Sequence, residues 1–339
     1  MTRRRFWYSG GGTLVSAPVA PIVSDGKIFR TAGGTPWRYR GVSAFKLLAR
    51  WAADENIQPF LDAYRGFNVL RVWPYVEWGP DKSWSITDPA TINAFIANMN
   101  RRGWYVEFTL LTDDAPARLQ WAKDLIPRLE RHPGLLLEGG NEPTTNKNID
   151  TPALRDLLAG SGFPYASGDY ENSARAYGSY GVAHTARTAD WPRRAHDLME
   201  FYGGGGPNTP QDPSHPYPWV GDEPAKPQDV SPVAADWRAY FGTCAILGAG
   251  GTFHCESAKW ADLPDPTEAA MAKAALDGLY AFAADAPLGP YRRIVEPGQP
   301  DYGRTYVVGD CMTRCQQNGT AAPEPGWTSL DADGILWKR

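Results

Sequence analysis

The chain has 339 residues, of which 42% are hydrophobic, so it can bury the core of one large domain or of two ordinary ones. Its formal net charge is −4, which argues against a nucleic-acid or anionic-membrane surface, because both partners require clustered Lys and Arg. No segment approaches the roughly 20 apolar residues that cross a bilayer.

Residues 1–24 are predicted to form an irregular arm. The arm begins with the basic residues Arg3, Arg4 and Arg5, but glycines follow before an apolar stretch of roughly 7–15 residues can form, so we expect no signal peptide. The cellular compartment stays open. Two strand-like segments, 27–30 and 37–40, flank a glycine-containing turn and predict a β-hairpin.

Between residue 40 and residue 285, short apolar strands alternate with helical segments, which is typical of βα units and a parallel sheet. Eight strands are predicted, the number that closes a (β/α)8 barrel, at 41–45, 68–73, 104–110, 135–139, 181–185, 197–202, 219–221 and 251–255. Helices are predicted at 56–65, 89–101, 117–131, 233–247 and 267–284. The glycine- and proline-rich stretch 203–218 cannot hold a long helix, so strands five to seven are the least secure part of this prediction.

The C-terminal residues predict a small β-rich extension packed on the barrel, with short strands at 291–295, 304–308, 327–330 and 334–337. The predicted division of the chain is therefore an arm (1–24), a barrel domain (25–286) and this extension (287–339). Four cysteines are present, and it stays open whether Cys311 pairs with Cys315 or Cys244 with Cys255. Their spacing, with five histidines in the chain, predicts no zinc site.

Carboxylates near the ends of predicted strands are candidates for catalysis, because the catalytic groups of such barrels lie where the strands end and the βα loops converge. They are Asp113, Asp114, Glu142, Glu200, Asp222, Glu223 and Glu256. Glycoside hydrolysis requires two carboxyl groups, about 5–5.5 Å apart for retention and about 6.5–9.5 Å apart for inversion. Strands four and seven face each other across the barrel mouth, so Glu142 and Glu223 are the predicted pair, and Glu256 after strand eight is the rival of Glu223.

The sequence Leu-Glu-Gly-Gly-Asn-Glu-Pro at 137–143 resembles the strand-four signature of the (β/α)8 glycoside hydrolase clan that contains the cellulase and mannanase family 5. The resemblance spans residues 27–285 and includes segments 40–43, 68–73, 218–224 and 250–254. It implies a retaining glycoside hydrolase without a metal or cofactor, in which Glu142 is the acid/base and Glu223 the nucleophile. It also implies that Asn141 binds the sugar 2-hydroxyl and that Arg71 and Tyr202 hold the nucleophile.

The chain departs from the family 5 pattern at three strand ends, which indicates a divergent member of the clan. Glu200 stands where strand six commonly has a His, and strand three ends in Leu111-Thr112-Asp113 instead of a His. Strand eight offers His254 where a Trp is common. His184 matches a polar position of predicted strand five, and it fits a hydrogen-bonded core residue equally well.

Fourteen tryptophans are present, and several lie near predicted βα loops, where a flat ring can either stack on a sugar or fill the core. The predicted substrate-binding residues, besides Asn141, Arg71 and Tyr202, are Trp73, Trp78, His184, His254 and Trp260. We expect a monomer that binds a β-linked oligo- or polysaccharide, with no nucleic-acid, membrane or metal partner. The alternative is a non-catalytic carbohydrate-binding or structural protein on a degenerate barrel.

Overall fold

The structure is a computed structural model of the chain. It describes residues 19–25, 28–76, 84–112, 116–142, 152–168, 178–184, 218–222, 232–246, 249–280, 291–294, 304–308, 311–315, 328–329 and 335–338. None of the helices in these ranges is long and apolar enough to span a membrane.

The chain starts, within these ranges, with a three-stranded antiparallel sheet of β1 (Ile22–Asp25), β2 (Ile28–Thr31) and β3 (Pro36–Trp37). The predicted hairpin is confirmed, since Phe29 of β2 lies opposite Trp37 of β3. Gly34 in the connecting turn has a φ of 85°, a conformation that favours glycine. Strand β1 was not predicted, and it lies within the segment that the sequence assigned to an irregular arm.

A parallel sheet of eight strands follows and forms a (β/α)8 barrel. The chain enters it with β4 (Arg40–Ser43) and β5 (Val69–Val72), after which β6 (Tyr75–Val76) and β7 (Trp84–Ser85) form a separate antiparallel pair. The remaining barrel strands are β8 (Tyr105–Leu111), β9 (Leu135–Gly140), β10 (Tyr165–Ala166), β11 (Gly181–His184), β12 (Trp219–Asp222) and β13 (Gly250–Phe253). Strand β13 pairs with β4, so the last strand of the barrel joins the first, and the predicted fold class is confirmed.

The order of the strands corrects one part of the prediction. The fifth barrel strand is β10, whose two residues pair with Leu137 and Glu138 of β9. Strand β11, predicted as the fifth, is therefore the sixth, and it pairs with β12. Segment 197–202, predicted as the sixth strand, lies outside the described residues, and the sheet reaches eight strands without it.

The helices that surround the strands confirm the predicted βα alternation. They are Leu47–Ala52, Gln58–Ala63, Pro89–Arg101, Pro116–Leu125 (followed by the 3-10 turn Ile126–Arg128), Pro152–Ser161, Ala234–Ile246, Glu256–Trp260 and Pro266–Tyr280. The helix Pro89–Arg101 has its predicted bounds because both its start signal and its apolar face are clear. Asp88 accepts a hydrogen bond from the Thr91 N–H at 2.9 Å, and the buried residues Ile92, Phe95, Ile96 and Met99 lie on one face.

The interior of the barrel has two layers that the same strands build. The lower one, which we call the floor, consists of apolar and aromatic side chains from the strands and from the N-terminal segment, and it includes Ile22, Phe29, Tyr39, Val69, Tyr105, Leu136, Tyr180, Val182 and Val220. Inward-facing residues recur every second position along a strand, so the next layer toward the carboxyl ends begins two residues later. We call it the charged layer, and its members are Arg71, Glu107, Glu138 and Asp222, all fully buried.

The C-terminal region forms a five-stranded antiparallel sheet of β14 (Tyr291–Ile294), β15 (Arg304–Val308), β16 (Cys311–Cys315), β17 (Thr328–Ser329) and β18 (Ile335–Lys338). Four of these strands were predicted, and β16 was not. Cys311 and Cys315 stand at the two ends of β16. Cys244 and Cys255 are both buried, and neither belongs to a disulfide.

Candidate active site

Arg71 is the centre of the charged layer. Its Nε and Nη2 donate hydrogen bonds of 2.8 and 2.7 Å to the two carboxylate oxygens of Glu138. Nη1 lies 2.5 Å from Oδ2 of Asp222, and Nη2 also donates to Oδ1 of Asn141 at 3.1 Å. The sequence predicted a carboxylate partner for this buried arginine, and the structure shows two, on strands β9 and β12. Glu223, the predicted partner, lies outside the described residues.

Strand register explains why these groups meet. Arg71 lies opposite Glu107 in the β5–β8 pair, and Thr109 lies opposite Glu138 in the β8–β9 pair. The Thr109 hydroxyl donates a hydrogen bond to Oε2 of Glu138. A buried guanidinium or carboxylate is costly unless it is paired and hydrogen-bonded, so these partners make the charged layer possible.

Glu107 has a different environment in the same layer. The hydroxyls of Tyr39 and Tyr180 donate to its two oxygens at 2.6 and 2.7 Å, whereas the nearest distance to the guanidinium of Arg71 is 3.8 Å. Burial, reinforced by the charge of Glu138, raises the pKa of Glu107 to about 8. Sequence reasoning missed Glu107 and Glu138. The available signal was a lone charge within an apolar strand, which is the signal that identified Arg71.

Glu142 lies at the carboxyl end of β9, as predicted, and it is 9% exposed where Arg71 is fully buried. Its φ is 49°, in the left-handed region that non-glycine residues seldom adopt. Its N–H donates to the carbonyl of Gly168 at 3.1 Å, and the preceding Asn141 N–H donates to the Leu111 carbonyl at 2.8 Å. Backbone of this kind is found where neighbouring structure enforces it, often at functional sites.

Gly168 itself cannot carry a side chain in this arrangement. Its φ is 76°, and a Cβ atom there would lie 1.9 Å from the carbonyl oxygen of Gly140. The segment after β10 therefore approaches the end of β9 at backbone distance, and this approach places the carbonyl that binds the N–H of Glu142.

Trp73 contacts both Phe45 and Arg71 at the carboxyl end of β5. Phe45 stacks on its indole with ring centroids 3.5 Å apart and an interplanar angle of 3°. The guanidinium of Arg71 lies 4.4 Å from the same ring system. Trp73 is fully buried, and its predicted role in substrate binding stays a prediction. The sequence located the ring correctly at the end of β5 but could not show what covers it.

The eighth strand brings two further predicted residues to the same end of the barrel. His254 is buried, with Nδ1 3.3 Å from Oγ of Ser43. Trp260 is 8% exposed, its indole N–H donates to Glu256 at 3.2 Å, and its ring makes an edge contact with Trp84 at 6.1 Å. Glu256, the rival nucleophile, is thus engaged with an aromatic side chain of its own helix.

Of the remaining predicted site residues, the structure describes the backbone of His184. His184 ends β11 and lies opposite Asp222 in the strand register, which puts its backbone at the carboxyl end of the barrel. Tyr202 and Trp78 lie outside the described residues. Within the described ranges, no group of three or more His, Cys, Asp or Glu side chains is arranged to hold a metal ion.

Comparison with known proteins finds similarity at the level of the fold. A β-glucanase from Saccharophagus degradans, solved in complex with cellotetraose, has a TM-score of 0.54 and 13% identity, over 81% of this chain and 98% of its own. An endo-1,4-β-mannanase from Rhizomucor miehei has a TM-score of 0.51 and 12% identity, over 77% of this chain and 99% of its own. No protein-family model and no curated protein matches the sequence. These similarities show the barrel fold.

Proposed function

We propose that the chain is a retaining glycoside hydrolase that cleaves a β-linked oligo- or polysaccharide, with Glu142 as the acid/base and Glu223 as the nucleophile. The observation that carries this proposal is the placement of Glu142 at the mouth of the barrel, next to Asn141, whose side chain is bound to Arg71. The barrel is similar to that of a β-glucanase solved with cellotetraose, which supports a carbohydrate substrate.

The proposed reaction has two steps. Glu142 donates its proton to the glycosidic oxygen while Glu223 attacks the anomeric carbon, which forms a glycosyl-enzyme and releases the leaving sugar. Glu142, now a carboxylate, then takes a proton from water, and the resulting attack by that water releases the second sugar and frees Glu223. Glu223 directly follows Asp222, the buried residue at the end of β12. Because Asp222 binds the guanidinium of Arg71, this guanidinium lies close to the strand end from which Glu223 follows.

Asn141 is suited to orient the sugar. Its Oδ1 accepts a hydrogen bond from Arg71, so the amide has one fixed orientation and its donor edge is turned away from the guanidinium. A donor held in this way beside the acid/base is consistent with binding a sugar 2-hydroxyl.

A screen of β-linked polysaccharides and aryl glycosides with the wild type, Glu142→Gln and Glu223→Gln tests the proposal. We expect Glu142→Gln to lower kcat/KM about 10²–10⁴-fold on substrates with poor leaving groups, and less on activated aryl glycosides, because formation of the glycosyl-enzyme from these needs little proton donation. Glu223→Gln should abolish turnover. Cleavage by the wild type with inversion of the anomeric configuration, followed by NMR, would rule out the double displacement.

Glu256→Gln is the matched control for the nucleophile. If Glu223→Gln keeps full activity and Glu256→Gln loses it while remaining folded, Glu256 is the nucleophile. A wild-type protein that binds these polysaccharides and hydrolyses none of them is instead a carbohydrate-binding protein on a degenerate barrel.

A further inference from the structure

We propose that Glu107 is a positioning residue that works as a neutral carboxylic acid, keeping its proton beneath the site so that Arg71 binds Glu138, Asp222 and Asn141. The inference rests on the proposed function only where activity is measured. Its structural part concerns the protonation of one buried side chain.

Glu107 and Glu138 form a natural comparison, because both are fully buried on neighbouring strands of one layer. Glu138 receives two N–H groups of the guanidinium and the Thr109 hydroxyl, which is the environment of a carboxylate. Glu107 receives two tyrosine hydroxyls, and the guanidinium of Arg71 stays 3.8 Å away, beyond hydrogen-bond distance. Neutral hydroxyls compensate a buried negative charge less well than a guanidinium does.

The groups that face Glu107 come from five segments of the barrel. They are Arg71 from β5, Glu138 from β9, Asp222 from β12, Tyr39 before β4 and Tyr180 before β11. The charge of Arg71 and the hydrogen bond from Tyr39 lower the pKa of Glu107. Burial and the charges of Glu138 and Asp222 raise it, and the net effect favours a proton there. The one guanidinium among them is closer to the two other carboxylates, at 2.7 and 2.5 Å. A further negative charge on Glu107 would be repelled by both, and burial and this repulsion raise the pKa of Glu107 to about 8.

Each tyrosine hydroxyl that contacts Glu107 has a second hydrogen-bond acceptor within reach, so the network can accommodate a protonated Glu107. The Tyr39 hydroxyl also lies 3.2 Å from Oγ1 of Thr252, and the Tyr180 hydroxyl lies 3.3 Å from the carbonyl oxygen of Leu137. When Glu107 donates its proton to one of these hydroxyls, that hydroxyl can turn to its second acceptor. A neutral Glu107 therefore leaves none of these buried groups without a partner.

Loss of the proton would act on the site through Arg71. An ionised Glu107 would attract Nε of the guanidinium, which now binds Glu138, and would draw the group away from Asn141. Asn141 precedes Glu142, so the acid/base is one residue from the displaced contact. The protonated form of Glu107 thus maintains the geometry that the reaction uses.

The sign of the pH dependence follows from the raised pKa. The folded state binds a proton that the unfolded state loses near pH 4.3, so the contribution of Glu107 to stability is complete below that pH. It decreases as the pH rises to about 8 and stays constant above it. A glutamine at this position has no such dependence.

Urea unfolding of Glu107→Gln and of its matched partner Glu138→Gln, between about pH 5 and pH 9, tests the inference. We expect Glu107→Gln to fold, and its urea midpoint to rise relative to that of the wild type as the pH increases to about 8. Glu138→Gln should lower the midpoint at every pH, because it removes a paired carboxylate. Equal destabilisation of both variants, with no pH-dependent difference, would overturn the proposal.

Infrared spectroscopy of the wild type gives a second measurement if Glu107→Gln fails to fold. The C=O stretching band of a protonated buried carboxyl should be present at pH 6 and disappear as the pH rises through about 8, and it should persist in Glu142→Gln, in which the proposed acid/base has no carboxyl group. Absence of this band at pH 6 overturns the proposal.

The activity measurement separates this inference from the proposed function. Glu107→Gln should move the alkaline limb of the pH profile of kcat/KM to higher pH, whereas a merely structural substitution would lower kcat/KM without moving the limb. If the wild type hydrolyses no glycoside, the proposed function fails, and the unfolding and infrared results still decide the protonation of Glu107.

Discussion

In the floor of the barrel, Val69, Tyr105 and Leu136 pack against one another and against the N-terminal segment. Two residues further along the same three strands, the side chains are those of Arg71, Glu107 and Glu138 in the charged layer. The period of two along a β-strand thus places an apolar layer directly below a polar one without a change of backbone. The stability of the barrel and the geometry of the site therefore depend on alternate residues of one strand, so a single substitution can change one of them without the other.

The charged layer should be most sensitive to the loss of its cation. Arg71→Met leaves Glu138 and Asp222 without the guanidinium, and we expect the free energy of unfolding to fall by about 3–5 kcal/mol. Urea unfolding at neutral pH measures the change. Arg71→Lys is the control, since it keeps the charge but lacks the planar fork that binds two groups at once. A loss below about 1 kcal/mol for Arg71→Met would contradict the central role of this pair of contacts.

The floor should respond in stability alone. Leu136→Ala removes a fully buried side chain and should lower the free energy of unfolding by about 2–5 kcal/mol through the cavity that it leaves. The kcat of the folded fraction should stay at the wild-type value, because Glu138 keeps its contacts with Arg71. A fall in kcat measured well below the unfolding temperature would show that the two layers are coupled.

Substitution of Gly168, at the upper edge of the charged layer, tests whether the close approach of its backbone places Glu142. Gly168→Ala forces a Cβ against the Gly140 carbonyl at a φ of 76°, so we expect a loss of at least about 1–2 kcal/mol and a fall in kcat that exceeds any change in KM. Gly160→Ala is the matched control in the helix Pro152–Ser161, where a Cβ meets no atom within 4 Å. It should leave kcat unchanged and be neutral or stabilising by up to about 1 kcal/mol. Equal behaviour of the two variants would contradict the role of Gly168 in placing Glu142.

The smallest effect is expected outside the barrel interior. Asp88→Ala removes the cap of the helix Pro89–Arg101 and should cost about 0.5–2 kcal/mol at neutral pH, without a change in kcat. Hydrogen bonds from the hydroxyl and the N–H of Thr91 lower the pKa of Asp88, so its contribution is present above the unfolded value and is lost as the pH falls through the folded one. Unfolding curves of the two proteins should therefore converge in acid. A difference that persists there would mean that the carboxylate is not what caps the helix.

Much of the barrel could be predicted from sequence because its strands carry continuous apolar runs. Strands β5 and β9 were located from such runs, and so were Arg71 and Glu142. Strand β10 was missed because its two residues form no run and stand between Pro164 and Gly168. Its strand conformation comes from pairing with β9, which no local sequence pattern indicates.

The partners of the site residues were harder to predict than their positions. A sequence shows that Arg71 needs a carboxylate, but strand register decides that Glu138 is the one that takes two of its N–H groups. The same holds for Trp73, whose location was correct and whose covered ring faces depend on Phe45 and Arg71. Contacts between strands that are distant in sequence carry this information, and no local pattern contains it.

The N-terminal hairpin has a consequence for biosynthesis. Its residues are translated before those of the barrel, yet Tyr105, whose hydroxyl donates to the Ala20 carbonyl, is made 85 residues after that partner, and Thr252 is made 213 residues after Tyr39. Ile22 and Phe29 therefore have no complete surface to dock on until β12, which supplies Val220, has been translated. Long-range closure of this kind slows folding and exposes apolar side chains in the meantime. The segment that packs against the floor of the barrel is thus synthesised before the barrel strands and is among the last to reach its native contacts.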